Sequence, residues 1–365
     1  MLRTFLLITF FLTVNACDKD TVNSSEPAET YASFVSAVDI SGYPEITISN
    51  PIFYDLNGSA KGFLNILKEN GVNTIRLKLW VNPISPHSGF DEVKTFSKTL
   101  KSQGFKIWLT IHYSDTWADP GHQETPSQWQ ELDHESLKET VYEYTAKVVK
   151  EIAPQYIQIG NEINHGFLHP NGDITSNYQN FLSLLSEGCA AVRANSDSAK
   201  IILHFAGVDG ATWFYNQVKT IDYDIIGLSF YPLWHGKSLN GLKSTMHNLS
   251  LVHDKEIIIA ETAYPFTLDW NDWTNNIVGL ESQLILPDYP ATSTGQKDFI
   301  NAIKTLTESL DKGIGFCYWG AELIAWKGDQ SQEASPWENQ ALFDFNNKAL
   351  HVVTEFNSDD LKGSH

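Results

Sequence analysis

The sequence predicts a (β/α)8 barrel, and three observations carry that prediction. Strand-like apolar runs alternate with amphipathic helical patterns, and the strand count reaches eight within 365 residues. Several helical patterns stop at a Gly that leads directly into the next strand. Two Ile-rich runs, one near residue 157 and one near residue 258, end at a carboxylate, as buried parallel strands do when they deliver a functional side chain to a barrel rim.

In chain order the strand-like runs fall at about 35–40, 74–80, 105–112, 155–160, 200–206, 224–231, 256–261 and 313–319. Helical periodicity fills the gaps. Lys138 to Ile152 places Val141, Tyr144, Val148, Val149 and Ile152 on one face. Asn70-Gly71, Gln103-Gly104 and Lys312-Gly313 each set a Gly where a left-handed helix cap is expected. A doubly wound sheet is the runner-up; no glycine-rich phosphate loop follows the first strand, and eight strands suit the barrel better. The longest connection, residues 265–294, follows the seventh strand and is expected to form one wall of a cleft. Trp108, inside strand three, and Trp213, in a helix, read as core.

The first residues read as an export signal rather than as part of the fold. Arg3 precedes an apolar run from Phe5 to Val14, too short to span a bilayer, and Val14-Asn15-Ala16-Cys17 resembles a bacterial lipoprotein processing box. The division expected is a signal at 1–17 with Cys17 as the acylated mature N-terminus, a polar tether at 18–31, a catalytic barrel at 32–357 and a frayed tail at 358–365. That places the protein outside the cytoplasm, anchored by lipid to the outer membrane or secreted, and meeting a membrane only through that lipid. An ordinary cleaved signal with an incidental Cys is the alternative. The remaining cysteines, Cys189 and Cys317, sit in helical and strand patterns as small apolar residues, with no disulfide scaffold or zinc spacing.

A net charge of −19 argues against nucleic acid and against polyanionic substrates such as unesterified polygalacturonate. A neutral ligand fits better. Eleven Trp and 14 Tyr supply flat rings suited to sugar faces.

The carboxylates that end the two Ile-rich runs are Glu162, after Gln155-Tyr156-Ile157-Gln158-Ile159-Gly160-Asn161, and Glu261, after Glu256-Ile257-Ile258-Ile259-Ala260. They close the fourth and seventh strands, which face each other across a barrel mouth. A carboxyl separation of about 5 Å there would be that of a retaining glycosidase, in which one carboxyl protonates the leaving oxygen and the other attacks the anomeric carbon.

Several longer strings extend this reading into a resemblance. Asn73-Thr74-Ile75-Arg76-Leu77-Lys78-Leu79-Trp80, Ile111-His112-Tyr113-Ser114-Asp115-Thr116-Trp117-Ala118-Asp119-Pro120-Gly121, Ser229-Phe230-Tyr231-Pro232-Leu233-Trp234, Glu261-Thr262-Ala263-Tyr264-Pro265 and Gly315-Phe316-Cys317-Tyr318-Trp319 run through nearly all of the barrel. With them the chain resembles glycoside hydrolase family 53, the arabinogalactan endo-β-1,4-galactanases; the string at 111–121 is the most specific of the set. The resemblance implies Glu162 as acid/base and Glu261 as nucleophile, acting on galactan or galacto-oligosaccharides.

For substrate binding it implies Arg76 or Tyr231 holding Glu261 ionised, and Asn161 at a sugar 2-hydroxyl. His112 and Asp115 are to bind hydroxyls or orient one another. Trp319 is to form the floor under the sugar, with Trp80, Trp117 and Trp234 as neighbouring platforms. No cofactor is required by this chemistry. Some bacterial members hold calcium in the loop after strand seven, and Asp269, Asn271, Asp272 and Asn275 are the oxygen ligands available here, with solvated loop polars as the alternative. The chain departs from the family after Trp319, where Gly320-Ala321-Glu322 replaces the usual Glu-Pro and displaces any role of that acid to Glu322. A β-mannanase or β-glucanase of the same clan, or a non-catalytic surface glycan-binding barrel, are the competing readings. A monomer is expected.

Overall fold

The computed structural model describes residues 34–357; the expected signal, Cys17, the tether and the tail at 358–365 lie outside the described residues. Eight parallel strands close into one barrel in chain order: β1 (Val35–Asp39), β2 (Thr74–Leu79), β3 (Lys106–Ile111), β4 (Tyr156–Ile159), β5 (Lys200–Ala206), β6 (Ile225–Ser229), β7 (Glu256–Thr262) and β8 (Gly313–Trp319). β8 pairs back onto β1, so the doubly wound alternative is gone. Among the described residues, seven α-helices of seven residues or more follow β1 to β7: α1 (Phe63–Glu69), α2 (Phe90–Ser102), α3 (His134–Ile152), α4 (Tyr178–Asn195), α5 (Ala211–Gln217), α6 (Leu239–His253) and α7 (Ser293–Glu308). After β8 a 3₁₀ segment, His351–Phe356, takes the eighth position and packs Phe356 at a tilt against Phe316 with ring centroids 5.3 Å apart. No described helix is long and apolar enough to cross a membrane.

Strand alternation explains how one sequence builds both a core and a site. On β2, Ile75, Leu77 and Leu79 face the helices and join the main apolar core, while Arg76 and Lys78 face inward. Val35, Ala37, Trp108, Ile202, Ile225, Ile258, Ala260 and Cys317 pack together as a separate cluster inside the barrel. Above this apolar floor the inward positions turn polar: Asp39, Arg76, Gln158, His204 and Ser229 are all buried. Burying these groups is tolerable because they bond to one another.

Some expectations change. α3 begins at His134, earlier than its apolar face suggested, because Asp133 caps it by accepting the Ser136 N–H at 2.9 Å. Gly71 and Gly104 are left-handed as expected, with φ of 92° and 82°. Gly313 is not: it opens β8, and a Cβ there would lie 2.0 Å from the Thr307 carbonyl oxygen. Trp213 is about half exposed rather than core, whereas Trp108 is fully buried. The loop at 265–294 lines no part of the cleft. It braces the segment after β8 from behind, through Phe266 N–H to Asn339 O, Trp273 N–H to Ser331 O and Ile277 N–H to Pro336 O. That later segment, 323–337, is the wall.

Candidate active site

A cavity of about 730 Å³ opens at the carboxyl ends of the strands. Glu162 enters it from the turn after β4. Gly160 and Glu162 are both left-handed (φ 77° and 46°), a conformation that a Glu adopts only when its surroundings impose it. Here the Ile163 N–H donates to His204 O at 3.0 Å and Gln123 Nε2 donates to the carbonyls of Asn161 and Glu162 at 2.8 and 3.3 Å.

Glu261 reaches the same space by a different device. Ile258 and Ala260 already face the interior, so strict alternation would send Glu261 outward with Ile257 and Ile259. The register slips instead: Leu228 pairs with Ile259 but Ser229 pairs with Glu261, leaving Ala260 as an extra residue. A bulge of this kind resets the phase and turns Glu261 inward.

One oxygen of Glu162, one of Glu261 and a ring nitrogen of His204 lie within 4.8 Å of one another. The two carboxyls have unlike surroundings. Arg76 Nη2 lies 2.8 Å from Glu261 Oε1, and the Tyr231 hydroxyl donates to Glu261 Oε2 at 3.0 Å. Asp39 takes the other arm of Arg76 at 2.8 Å. Among the described residues Glu162 has no cation in contact; burial first, then the charge of Glu261, push its carboxyl up to about 8. Burial raises Glu261 too, but Arg76 opposes it. The surroundings therefore favour the proton on Glu162 over Glu261, which Arg76 and Tyr231 draw toward its ionised form.

Around them lie hydrogen-bond donors. Asn161 Oδ1 accepts from Arg76 Nη2 at 2.8 Å and its Nδ2 donates to Ala118 O at 2.8 Å, which leaves a second amide hydrogen at the cleft. His112 Nδ1 faces the Ala118 N–H at 3.1 Å and the Trp80 indole N–H at 3.3 Å, both donors, so the ring hydrogen is on Nε2. Burial and the charges of Arg76 and Lys78 keep that ring neutral. Lys78 Nζ sits 3.9 Å from the Trp117 ring centroid and 4.9 Å from that of Trp80, with no ion pair among the described residues.

Aromatic rings form a continuous rim. Trp117 approaches Trp319 at 5.9 Å; Trp319 meets Trp337 at 4.6 Å; Trp337 meets Tyr231 at 5.7 Å and Trp234 at 6.1 Å. Trp117 and Trp234 are 44% and 54% exposed, so their faces are open to a ligand.

Of the residues singled out from the sequence, Glu162, Glu261, Arg76, His112, Asn161, Trp117, Tyr231, Trp234 and Trp319 all line the cavity. Trp80 and Asp115 do not. Trp80 packs edge-on behind Trp117 at 5.6 Å, and Asp115 ties two loops by accepting the Asn82 N–H at 3.0 Å and the Ser127 N–H and hydroxyl at 2.8 and 2.7 Å. Neither a hydroxyl contact nor an orienting bond to His112 goes with that position. Sequence reasoning missed Lys78, whose inward phase the alternation of β2 contains. It also missed Trp326 and Trp337, whose one signal is two Trp in the segment after β8, and the buried Ser229 and His204. Glu322 lies outside the cavity lining, buried, accepting the Gly42 N–H at 2.7 Å.

In the loop after β7, Asp269 and Asn275 are exposed, and Asp269 Oδ2 accepts from the Thr267 hydroxyl. Asn271 is anchored by its N–H to Glu338 Oε1 at 2.6 Å. Asp272 is buried, and among the described residues its Oδ2 has no hydrogen-bond partner; Asn276 Oδ1 and Glu338 Oε2 are also buried without one. Unpartnered hard oxygens suit a cation such as calcium, and here Asp272, Asn276 and Glu338 offer them rather than Asp269, Asn271 and Asn275.

Comparison with known proteins adds a family. The model of glycosyl hydrolase family 53 matches residues 35–356. An arabinogalactan endo-β-1,4-galactanase of Cellvibrio japonicus is 31% identical over 351 residues, covering 89% of this chain and 91% of that protein. An arabinogalactan endo-β-1,4-galactanase of Thermothelomyces thermophilus is 32% identical over 321 residues, covering 83% and 93%. Among solved structures, the family 53 catalytic domain of Ignisphaera aggregans matches with a TM-score of 0.84 at 37% identity, covering 91% of this chain and 98% of that one. A fungal β-1,4-galactanase structure matches at 0.76 and 30%, covering 89% and 99%. A family 113 β-1,4-mannanase, at 0.52 and 15% with coverage of 89% and 99%, shares the fold alone.

Proposed function

The chain belongs to glycosyl hydrolase family 53, and from that premise we propose a retaining endo-β-1,4-galactanase with Glu162 as acid/base and Glu261 as nucleophile. The observation that carries the assignment is the pair itself: carboxyl oxygens within 4.8 Å of each other, the one beside Arg76 and the other with no cation in contact among the described residues. Retaining pairs stand about 5–5.5 Å apart and inverting pairs about 6.5–9.5 Å, since the latter must admit a water.

In the first half-reaction a Glu261 oxygen bonds to the anomeric carbon while the glycosidic C–O bond breaks and Glu162 gives its proton to the departing oxygen. Neutralising Glu261 removes the charge that had held the proton on Glu162, so Glu162, now ionised, takes a proton from water in the second half-reaction. The water oxygen bonds to the anomeric carbon and Glu261 leaves ionised. The spare Asn161 amide hydrogen meets the sugar 2-hydroxyl, His112 Nε2–H and Lys78 donate to neighbouring hydroxyls, and Trp319 carries the sugar face. Asp272, Asn276 and Glu338 would hold a calcium ion that ties the wall to the loop behind it, remote from the chemistry. We place the protein outside the cytoplasm with Cys17 acylated, supported by the apolar run to Val14 and the Asn15-Ala16 that precedes the cysteine. Cys17→Ser should release the mature protein from membranes, and a variant that still partitions with them would overturn the anchor.

The direct test is the product profile over time on linear β-1,4-galactan, with the anomeric configuration of the first products followed by NMR. Internal cleavage with β-products is expected. Release from mannan or β-glucan with none from galactan would overturn the substrate, and α-products would overturn the mechanism.

A further inference from the structure

A chain of buried hydrogen bonds ends on the acid/base and comes from β4, β5 and β6. Gln158 Nε2 lies 2.9 Å from His204 Nδ1, His204 Nε2 lies 2.8 Å from Ser229 Oγ, and Ser229 Oγ lies 2.5 Å from Glu162 Oε1. Gln158, His204 and Ser229 are fully buried. The polarity of this chain follows from its members. The Gln158 amide nitrogen can only donate, and its orientation is set because its two hydrogens are shared among three acceptors, Gly160 O at 3.1 Å, Asn161 Oδ1 at 3.0 Å and His204 Nδ1 at 2.9 Å. His204 Nδ1 also lies 3.2 Å from Asn161 Oδ1, an acceptor, but its shorter contact at 2.9 Å is to a nitrogen that can only donate, so Nδ1 accepts and the ring hydrogen is on Nε2. That hydrogen goes to Ser229 Oγ, and the serine hydrogen then has Glu162 Oε1 as its acceptor.

We infer that Ser229, oriented by His204, is a positioning residue for the acid/base: it caps Oε1 of Glu162 with a donated hydrogen, so that the transferable proton is carried on Oε2 toward the cleft. This rests on the reading of Glu162 as acid/base. An uncapped carboxylic acid can hold its proton on either oxygen, and only the one facing the glycosidic oxygen is productive. With Oε1 engaged, the O–H bond that breaks in the first half-reaction is that of Oε2, and the same oxygen receives the water proton in the second. The capping hydrogen also stabilises the carboxylate that exists between the two steps. The His204 ring stays neutral throughout, held so by burial and by Arg76, so it orients the serine and exchanges no proton with it.

The charged and titratable groups that face Glu162 are Glu261 from β7, Arg76 from β2, Asp119 from the loop after β3, Tyr231 after β6 and His204 from β5. None of them replaces the Ser229 bond. The test is Ser229→Ala, with Ser229→Thr as the conservative rescue and a thermal melt to establish that each is folded. On galacto-oligosaccharides kcat/KM should fall roughly tenfold, the loss expected for one hydrogen bond to a charged group. Its basic limb should move to higher pH, because removing a donor from the carboxylate favours the protonated form. On an aryl galactobioside with a dinitrophenolate leaving group, which departs without a proton, kcat/KM should fall much less. Thr should restore the oligosaccharide rate and the limb. Equal losses on both substrates, or a basic limb that stays in place, would overturn the inference while leaving the acid/base assignment intact. Retention of oligosaccharide activity by Glu162→Gln would instead overturn the assignment itself.

Discussion

Arg76 Nη2 lies 2.8 Å from Glu261 Oε1, in a pair whose side chains are 2% and 9% exposed. Because Asp39 holds the other guanidinium nitrogen at 2.8 Å, one cation answers two buried carboxylates. Arg76→Leu strands both. The expected cost is about 3–5 kcal/mol at neutral pH by urea unfolding, as for other broken buried pairs, together with loss of turnover. The sign with pH is fixed by the same geometry. Stranded carboxyls have folded-state pKa values above their unfolded values, so the penalty is complete at high pH and shrinks as acid protonates them. The gap between wild type and variant should narrow toward pH 4; a gap constant across pH would assign the effect to packing alone.

Glu322 offers a pH prediction away from the chemistry. Burial pushes its carboxyl up to about 8, with Asp39 adding to the effect, and Glu162 is raised to about 8 as well. Groups raised in the folded state contribute stability that is complete below the unfolded value and is lost as pH climbs through the folded one. The melting temperature should therefore fall between about pH 5 and pH 9. Glu322→Gln keeps an oxygen for the Gly42 N–H and removes the ionisation, so it should flatten that slope and raise the melting temperature at pH 9. A slope unchanged in the variant would show that other groups set it.

Period and strand ends carried the barrel and the two carboxylates, because hydrophobic alternation and Ile-rich runs are local signals that tertiary packing reinforces. What lay beyond them was non-local. Nothing in Glu256-Ile257-Ile258-Ile259-Ala260-Glu261 marks Ala260 as the extra residue that turns Glu261 inward; the slip exists only against β6 and β8. Ser229 and His204 read as ordinary strand residues until β5 and β6 bring them to Glu162. Asp115 shows the converse error: it belongs to the most specific string, yet its carboxylate serves loop N–H groups. The long loop after β7 was noticed for its length, but the cleft wall is the segment it supports.

The brace behind that wall leads to a test of the calcium proposal. Asp272 Oδ2, Asn276 Oδ1 and Glu338 Oε2 are buried without hydrogen-bond partners among the described residues, and Asp272 and Glu338 are both acids. A divalent cation there would relieve a cost that the protein alone bears, so chelation should lower the melting temperature and calcium should restore it. Asp272→Asn should weaken the response. A melting temperature indifferent to chelator, in protein carrying no calcium by elemental analysis, would sink the proposal.

Trp337 is the ring that makes the aromatic rim continuous, contacting Trp319, Tyr231 and Trp234 at centroid distances of 4.6, 5.7 and 6.1 Å. A polysaccharide threading the cleft would cross it between the sugar over Trp319 and the exposed face of Trp234. Trp337→Ala removes both a stacking face and the lateral support of two others. Aromatic contacts of this kind contribute about 1 kcal/mol beyond buried area, so KM for galactan should rise roughly fivefold or more, with a smaller change in kcat. The products should also shift in length, since one binding position along the chain is weakened. Trp270 is the control: it is 51% exposed and lines no part of the cavity, so Trp270→Ala should leave KM in place. If the two variants shift KM alike, or if Trp337→Ala lowers only kcat, the rim is not a sugar-binding track and Trp337 acts by holding Trp319.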